Sequence, residues 1–222
     1  MKDFSFYDQM GNLIPGSVLL MGLLVMFPHF KDGFSSHDIS VGALGLFLIV
    51  AYVLGHLLSF GTWIVETIMW WLFGGKPSSW VAGKSGRWLF KDKKGWLLKP
   101  DVVDEVQEKL EARLGLRVSI ETAEQKDWQR YFGAIYSDAF ANQQGDRITV
   151  FNAMYNMSGG IAIALIILAV LCGWRGIADW PWGLAAAAAV FIGRMASFGL
   201  HFAKEVYYVF IRLPGGVKTE GA

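Results

Sequence analysis

Two apolar stretches of this sequence carry ionisable and hydroxyl side chains at helical spacing. On a helix, which advances about 100° per residue, His56, Ser59 and Glu66 fall on one face. Farther along the chain, the same spacing groups a second set: Arg194, Ser197, His201, Lys204 and Glu205. Ionisable groups at membrane depth are costly, so they generally face protein or water and find partners. We call the two sets together the polar seam.

The residue types of the polar seam suggest several kinds of chemistry. His56, Ser59 and Glu66 could serve nucleophilic hydrolysis, but no strained turn or oxyanion donor is recognisable around Ser59. A path for ions or protons, or a sensor of a conformational signal, needs only that the two faces meet. The alternative is structural, with the ions reaching the membrane boundary and pairing there. The histidines lack metal-ligand spacing, so we expect no metal, no other cofactor and no enzymatic activity.

The elements that would carry the polar seam are membrane-spanning helices. The chain has 222 residues, of which 54% are hydrophobic and 18% charged, so it is too apolar for a typical soluble domain. Four runs are apolar enough to cross roughly 30 Å of hydrocarbon. They are residues 14–28, with Pro15 at the start, 41–63, 158–174 and 183–202. We predict an all-α membrane protein with four transmembrane helices. The net charge of +1 gives no case for a nucleic-acid partner.

An internal duplication would explain how the halves of the seam align. Residues 51–61 and 189–199 are identical at five of eleven positions. Each half of the chain would form one hairpin, and the two hairpins would be related as a parallel repeat. The alignment predicts that Glu66 pairs with Lys204. Convergence of two helices rich in small residues is the alternative explanation.

Small residues recur every four positions in the second and fourth spans. Such spacing lets two membrane helices approach backbone to backbone. We therefore expect these two spans to contact each other, or else to meet another subunit. The residues concerned are Ala51 and Gly55 in the second span, and Ala185, Ala189 and Gly193 in the fourth.

Basic residues orient the spans. Residues 74–150 hold 13 of the 20 Lys and Arg residues, and cytoplasmic loops are enriched in these residues. This predicts a cytoplasmic central segment, with both termini on the same side. The domain organisation follows: residues 1–73 form a first transmembrane hairpin, 74–150 a cytosolic insert, and 151–222 a second hairpin with a C-terminal tail.

The first part of the insert mixes basic residues with tryptophan. Such a segment could lie on the inner leaflet, where each cation contributes about 1 kcal/mol near an anionic surface. An ordinary positively charged loop is equally compatible with this composition. The residues concerned are Lys76, Arg87, Lys91, Lys93 and Lys94, with Trp88 and Trp96, and we expect Trp80 near the same surface.

The rest of the insert has the pattern of amphipathic helices. Asp101 could cap a helix that ends at Gly115. A second helix, starting near Thr122, would turn one face toward a partner. Its apolar positions are Trp128, Phe132, Ile135 and Phe140. Asp146 could cap a third helix that runs directly into the third span.

Several motifs resemble those of a broad, uncharacterised group of short bacterial four-helix membrane proteins. They are Tyr7 with Pro15-Gly16, Tyr52-x-x-Gly55-His56, Phe151 with Tyr155, and Phe202-x-x-Glu205-Val206-Tyr207. The resemblance implies a bacterial inner-membrane location. More loosely, the architecture is similar to the membrane effectors of bacterial anti-phage systems, which implies a membrane disrupted on receipt of a signal.

The function expected from these observations is non-enzymatic. The cytosolic insert would receive a signal or a protein partner, and the helices would perturb the membrane, as in a defence effector. A small channel or transporter subunit that uses the polar seam is one alternative, and a passive assembly scaffold is another. The expected partners are the lipid bilayer and either further copies of this chain or a cytosolic protein.

Overall fold

The helices of this chain are longer than the apolar runs that predicted them. The computed structural model describes residues 6–28, 41–82, 97–116, 124–141, 146–177 and 179–214. They form α1 (Phe6–Met26), α2 (Val41–Phe73), α3 (Pro77–Val81), α4 (Pro100–Leu114), α5 (Gln125–Ala141), α6 (Asp146–Trp174) and α7 (Trp180–Arg212), and these described ranges contain no strand. Four of the helices, α1, α2, α6 and α7, are long and apolar enough to cross a membrane. The all-α class with four candidate spans is thus confirmed.

Charged residues end the apolar runs without ending the helices, because Glu and Lys are good helix formers. Helix α2 continues past Glu66 and ends only at Gly74 and Gly75, whose φ angles are 81° and 138°. Glycine adopts such positive φ angles at little cost, so the pair terminates the helix. Helix α7 likewise passes Lys204, and α6 begins at Asp146 and continues unbroken, as predicted.

Pro15 lies inside α1 and not at its start. The helix begins at Phe6, so the apolar run that Pro15 opens is part of a longer helix. An internal proline is tolerated in membrane helices where neighbouring helices accommodate it. Here Pro15 is buried, and a Cβ atom added to Gly160 would lie 2.8 Å from the Pro15 Cγ atom. Gly160 of α6 therefore leaves the space that the proline ring fills.

The chain divides into two compact units. The bundle unit comprises Met1–Ile68 and Asn152–Phe198, and the insert unit comprises Met69–Phe151 and Gly199–Ala222. The insert unit therefore includes the C-terminal part of α7, which the sequence assigned to the second hairpin. Helices α2, α6 and α7 each contribute residues to both units.

The bundle unit has an apolar exterior as well as an apolar core. Leu19, Leu58 and Leu168 pack together in one core cluster. On the outside, Phe60 is 79% exposed and Val190 63% exposed. A soluble protein rarely exposes so much contiguous apolar surface, so the exterior of this unit suits a lipid environment.

Helix α4 of the insert unit has one apolar face and one charged face. In α4, the stripe of Val102, Val106 and Leu110 is buried. The face away from this stripe carries exposed carboxylates at Asp101, Asp104, Glu105 and Glu108. An amphipathic helix with one charged face is typical of a domain in water, so this face of the insert unit suits an aqueous surrounding.

The ends of the insert helices fit the sequence only in part. Gly115 caps the C-terminus of α4 with a φ angle of 64°, as expected. The expectation that Asp101 is the N-cap is wrong: Lys99 occupies that position because Pro100 takes the first turn, and Asp101 follows inside it. Helix α5 begins at Gln125, and Thr122, its expected start, lies outside the described residues.

Candidate functional site

In the α2 part of the polar seam, Ser59 contacts α1 and His56 contacts a ring of its own helix. The Ser59 hydroxyl donates a hydrogen bond of 2.6 Å to Asn12 Oδ1. The His56 side chain is exposed, and its ring meets Tyr52 edge-on with 4.6 Å between centroids. Ser59 thus links α2 to α1 by a side-chain bond, which is a common way to join membrane helices.

The α7 part of the polar seam contacts α6 and its own helix. The Arg194 guanidinium lies over the Phe198 ring at 5.6 Å, and the His201 ring lies 5.7 Å from that of Phe151. Glu205 pairs with Arg147 at 3.7 Å. Arg147 is 72% exposed, so this pair contributes little to stability.

The pairing of Glu66 with Lys204 within the seam stays a prediction. Glu66 belongs to the bundle unit and Lys204 to the insert unit. Their pairing, like the internal duplication on which it rests, was inferred from the alignment of the two halves alone.

Helix α1 occupies the face of α2 that the sequence assigned to α7. A Cβ atom added to Gly55 would lie 1.9 Å from the Asn12 carbonyl oxygen, and one added to Gly16 would lie 1.7 Å from the Ala51 carbonyl oxygen. The two backbones are therefore in direct contact. The expectation that α7 packs along Ala51 and Gly55 is wrong, because Gly16 of α1 and Gly55 of α2 together let α1 approach this face.

The matching stripe of α7 is open. Ala185, Ala189, Gly193 and Ser197 are all exposed. Apart from the neighbouring residues and backbone of α7 itself, no atom of the described residues lies within 4 Å of the position that a Cβ atom would take at Gly193. Within the described part of a single chain, this stripe therefore has room for a further helix.

The basic and aromatic residues expected at the membrane surface fall into two groups. Lys76 is exposed at the start of α3. Trp80 is only 3% exposed and meets Trp70 edge-on at 5.1 Å, so it packs within the protein, and its place near the inner leaflet stays a prediction. Arg87, Trp88, Lys91, Lys93, Lys94 and Trp96 lie outside the described residues.

Two cations of α4 hold the C-terminal end of α7. The Lys109 ammonium donates hydrogen bonds to the carbonyl oxygens of Ile211 and Leu213. The Arg113 guanidinium donates to the carbonyl oxygen of Pro214. The last carbonyls of a helix lack intrahelical partners and carry partial negative charge, so cations stabilise this end. We call these contacts the carbonyl clamp.

Asp138 of α5 fixes one arm of the carbonyl clamp. Arg113 Nε and Nη2 donate to Asp138 Oδ2 and Oδ1 at 2.7 and 3.0 Å, in the bidentate geometry that is strongest for this pair. The hydrogen bond from Arg113 to Asp138 raises the pKa of Arg113 above its ordinary value. Arg113 is therefore charged at every physiological pH, and the clamp joins α4, α5 and α7.

A buried aromatic pair makes a second connection to α7. The Trp128 indole donates to the Tyr207 hydroxyl oxygen at 2.9 Å, and this hydroxyl donates to the Ser78 carbonyl oxygen at 3.0 Å. The rings of Trp128 and Tyr207 stack, and both side chains are fully buried. Ser78 lies in α3 and Trp128 in α5, so three helices of the insert unit meet at Tyr207.

Sequence reasoning identified Trp128 as a buried position but missed the clamp. Lys109 and Arg113 are four residues apart, beside the apolar stripe of α4. Two cations next to a buried stripe could have been recognised as pointing to a helix end. Nothing in the sequence indicates that the partner would be the end of α7, because a backbone carbonyl has no residue-type signature.

Comparisons with protein-family models, curated proteins and solved structures find no match to this chain. The resemblance to short bacterial four-helix membrane proteins therefore stays a prediction. Among the described residues, no group of three or more His, Cys, Asp or Glu side chains could hold a metal ion.

Proposed function

We propose that this chain is a non-enzymatic membrane transducer, in which the insert unit receives a signal or partner and α7 passes the response into the bundle unit. The carbonyl clamp carries this proposal. It joins α4, whose opposite face is exposed and charged, to the last turn of a helix that continues through both units. A ligand that displaces α4 would act directly on that helix.

The energy of the clamp suits a switch. A hydrogen bond to a charged group contributes about 1.5–3 kcal/mol. A conformational equilibrium moves only by the difference in a ligand's affinity for the two states. A partner whose binding free energy favours the released state over the closed state by a similar amount would therefore be sufficient to open the clamp. The resting state keeps the clamp closed, and the signalled state opens it.

The membrane response that we propose is increased permeability, as in a defence effector of the bacterial inner membrane with its insert in the cytoplasm. Arg194 supports a response that involves several copies of the chain. Its side chain is exposed beside the open stripe of α7, and a cation at membrane depth is costly unless protein or water covers it. A second copy packed on Gly193 and Ser197 would provide such cover.

The test compares two single cation removals in cells that express the chain. Lys109→Met opens the clamp, whereas Lys126→Met removes an exposed cation of α5. Lys109 donates two hydrogen bonds of the clamp. If their loss costs the resting state at least about 1.4 kcal/mol, the open population rises at least about tenfold. We expect uptake of a membrane-impermeant dye to rise with Lys109→Met and to match wild type with Lys126→Met. Equal uptake by both variants at equal expression would contradict the proposal.

A further inference from the structure

An apolar groove lies at the end of the bundle unit where α1 and α6 end and α7 begins. Its volume is about 410 Å³, within the range of pockets that hold small ligands. Met21 and Val25 on its rim are 55% and 58% exposed, so it opens to the exterior of the bundle. The deeper lining includes Leu168 of α6 and Leu184 of α7. The groove therefore offers an acyl chain an apolar surface open on the lipid side.

A cation stands at the end of this groove. The Arg175 guanidinium donates a hydrogen bond to the carbonyl oxygen of Met26, and Met26 lines the groove. The same guanidinium lies 4.7 Å over the Phe27 ring, and Arg175 is exposed. Arginine has five N–H donors, so donors remain for an anionic oxygen.

The position of Arg175 is fixed by the turn that it occupies. Ile177 N–H donates to the Cys172 carbonyl oxygen, and Gly176 N–H to that of Gly173. With a φ angle of 71° at Gly176, these bonds form the Schellman motif that ends α6. Both Cys172 and Ile177 line the groove, so the turn that carries Arg175 is also part of the groove.

Tryptophans mark this end of the bundle as a membrane boundary. Trp174, Trp180 and Trp182 are 83%, 60% and 80% exposed. Indole side chains concentrate at the level of lipid headgroups. Arg175 thus lies at the depth of phosphate groups, and the groove extends from there along the apolar helices.

We propose that this groove binds a phospholipid of the surrounding bilayer, with one acyl chain along Met21, Val25 and Leu168 and the phosphate on Arg175. The apolar lining matches the chain and the guanidinium matches the anionic headgroup. Bound in this way, the lipid would bridge α1, α6 and α7, the three helices that line the groove.

The test uses native mass spectrometry of the full chain purified in mild detergent. The probes are dioleoyl phosphatidylglycerol and dioleoylglycerol. They have the same acyl chains, but only the first carries an anionic phosphoglycerol headgroup. We expect wild type to bind one phosphatidylglycerol per chain. Arg175→Gln should weaken this binding about fivefold, the effect of one cation at an anionic surface, and leave dioleoylglycerol unaffected.

Substitutions that fill the groove should weaken the binding of both lipids. Val25→Trp and, independently, Met21→Trp should each lower binding of both probes at least as much as Arg175→Gln lowers that of phosphatidylglycerol. The controls are Val53→Trp, at an exposed position of α2, and Arg130→Gln, at an exposed position of α5, and both should bind as wild type does. The proposal is overturned if the groove variants bind both probes as the controls do. It is also overturned if wild type binds no lipid.

Discussion

Gly55→Ala is expected to separate α1 from α2 and to destabilise the bundle unit by about 1–3 kcal/mol. The new Cβ atom would lie 1.9 Å from the Asn12 carbonyl oxygen. Because the obstacle is backbone, no side-chain rotation relieves the clash. The helices would have to move apart, and this would also lengthen the hydrogen bond between Ser59 and Asn12. Unfolding of the purified protein by a denaturing detergent would measure the loss.

Gly193→Ala is the matched control. No described atom outside its own stretch of α7 lies within 4 Å of its Cβ position, and alanine favours a helix over glycine by about 1 kcal/mol. We expect this variant to be at least as stable as wild type. Gly193→Leu should also fold, but the larger side chain should weaken self-association along the open stripe of α7. Equal stability of Gly55→Ala and Gly193→Ala would contradict the contact between α1 and α2.

Trp128→Ala is expected to cost the insert unit about 3–5 kcal/mol, the usual range for deleting a buried aromatic side chain. It leaves a cavity beside Tyr207 and removes the indole donor that reaches the Tyr207 hydroxyl. The milder Trp128→Phe removes this donor and keeps much of the volume, so it should cost less. Proteolysis of the insert unit during heating would report both effects.

Trp174→Ala provides the comparison for this prediction. Trp174 is 83% exposed, so its removal leaves no cavity in the core. We expect proteolysis of the insert unit in this variant to follow wild type. If Trp128→Ala were no more sensitive to protease than Trp174→Ala, the aromatic connection between α5 and α7 would not hold the unit together.

The four long helices could be predicted because runs of apolar residues identify them directly. The ends of these helices could not be predicted, because an apolar run marks only the part of a helix that can lie in lipid. The helix itself continues until a helix-breaking residue such as Gly74 ends it. Pro15 shows that the start of an apolar run does not mark the start of a helix either. It opens the apolar run but not the helix, because Gly160 on a distant part of the chain makes room for it inside α1.

The choice of partner for each helix was not predictable from one sequence. Gly55 and Gly193 have equivalent local patterns, yet Gly55 touches α1, whereas the Cβ position of Gly193 meets no other described helix. A small residue permits a close approach but does not say which helix will approach. The candidate site was missed for a related reason, since Lys109 binds backbone carbonyls of α7.

The transducer account places the insert unit in control of the bundle unit, and a distance measurement within the bundle tests this most directly. Nitroxide labels at Val53→Cys of α2 and Val190→Cys of α7, both exposed positions, would be introduced with Cys172→Ala and an excess of unlabelled chain. Pulsed electron paramagnetic resonance in lipid nanodiscs then gives the distance distribution between the labels. The account predicts that Lys109→Met adds a second population, whereas Lys126→Met leaves the wild-type distribution unchanged. A distribution that stays the same when the clamp is opened would contradict the account.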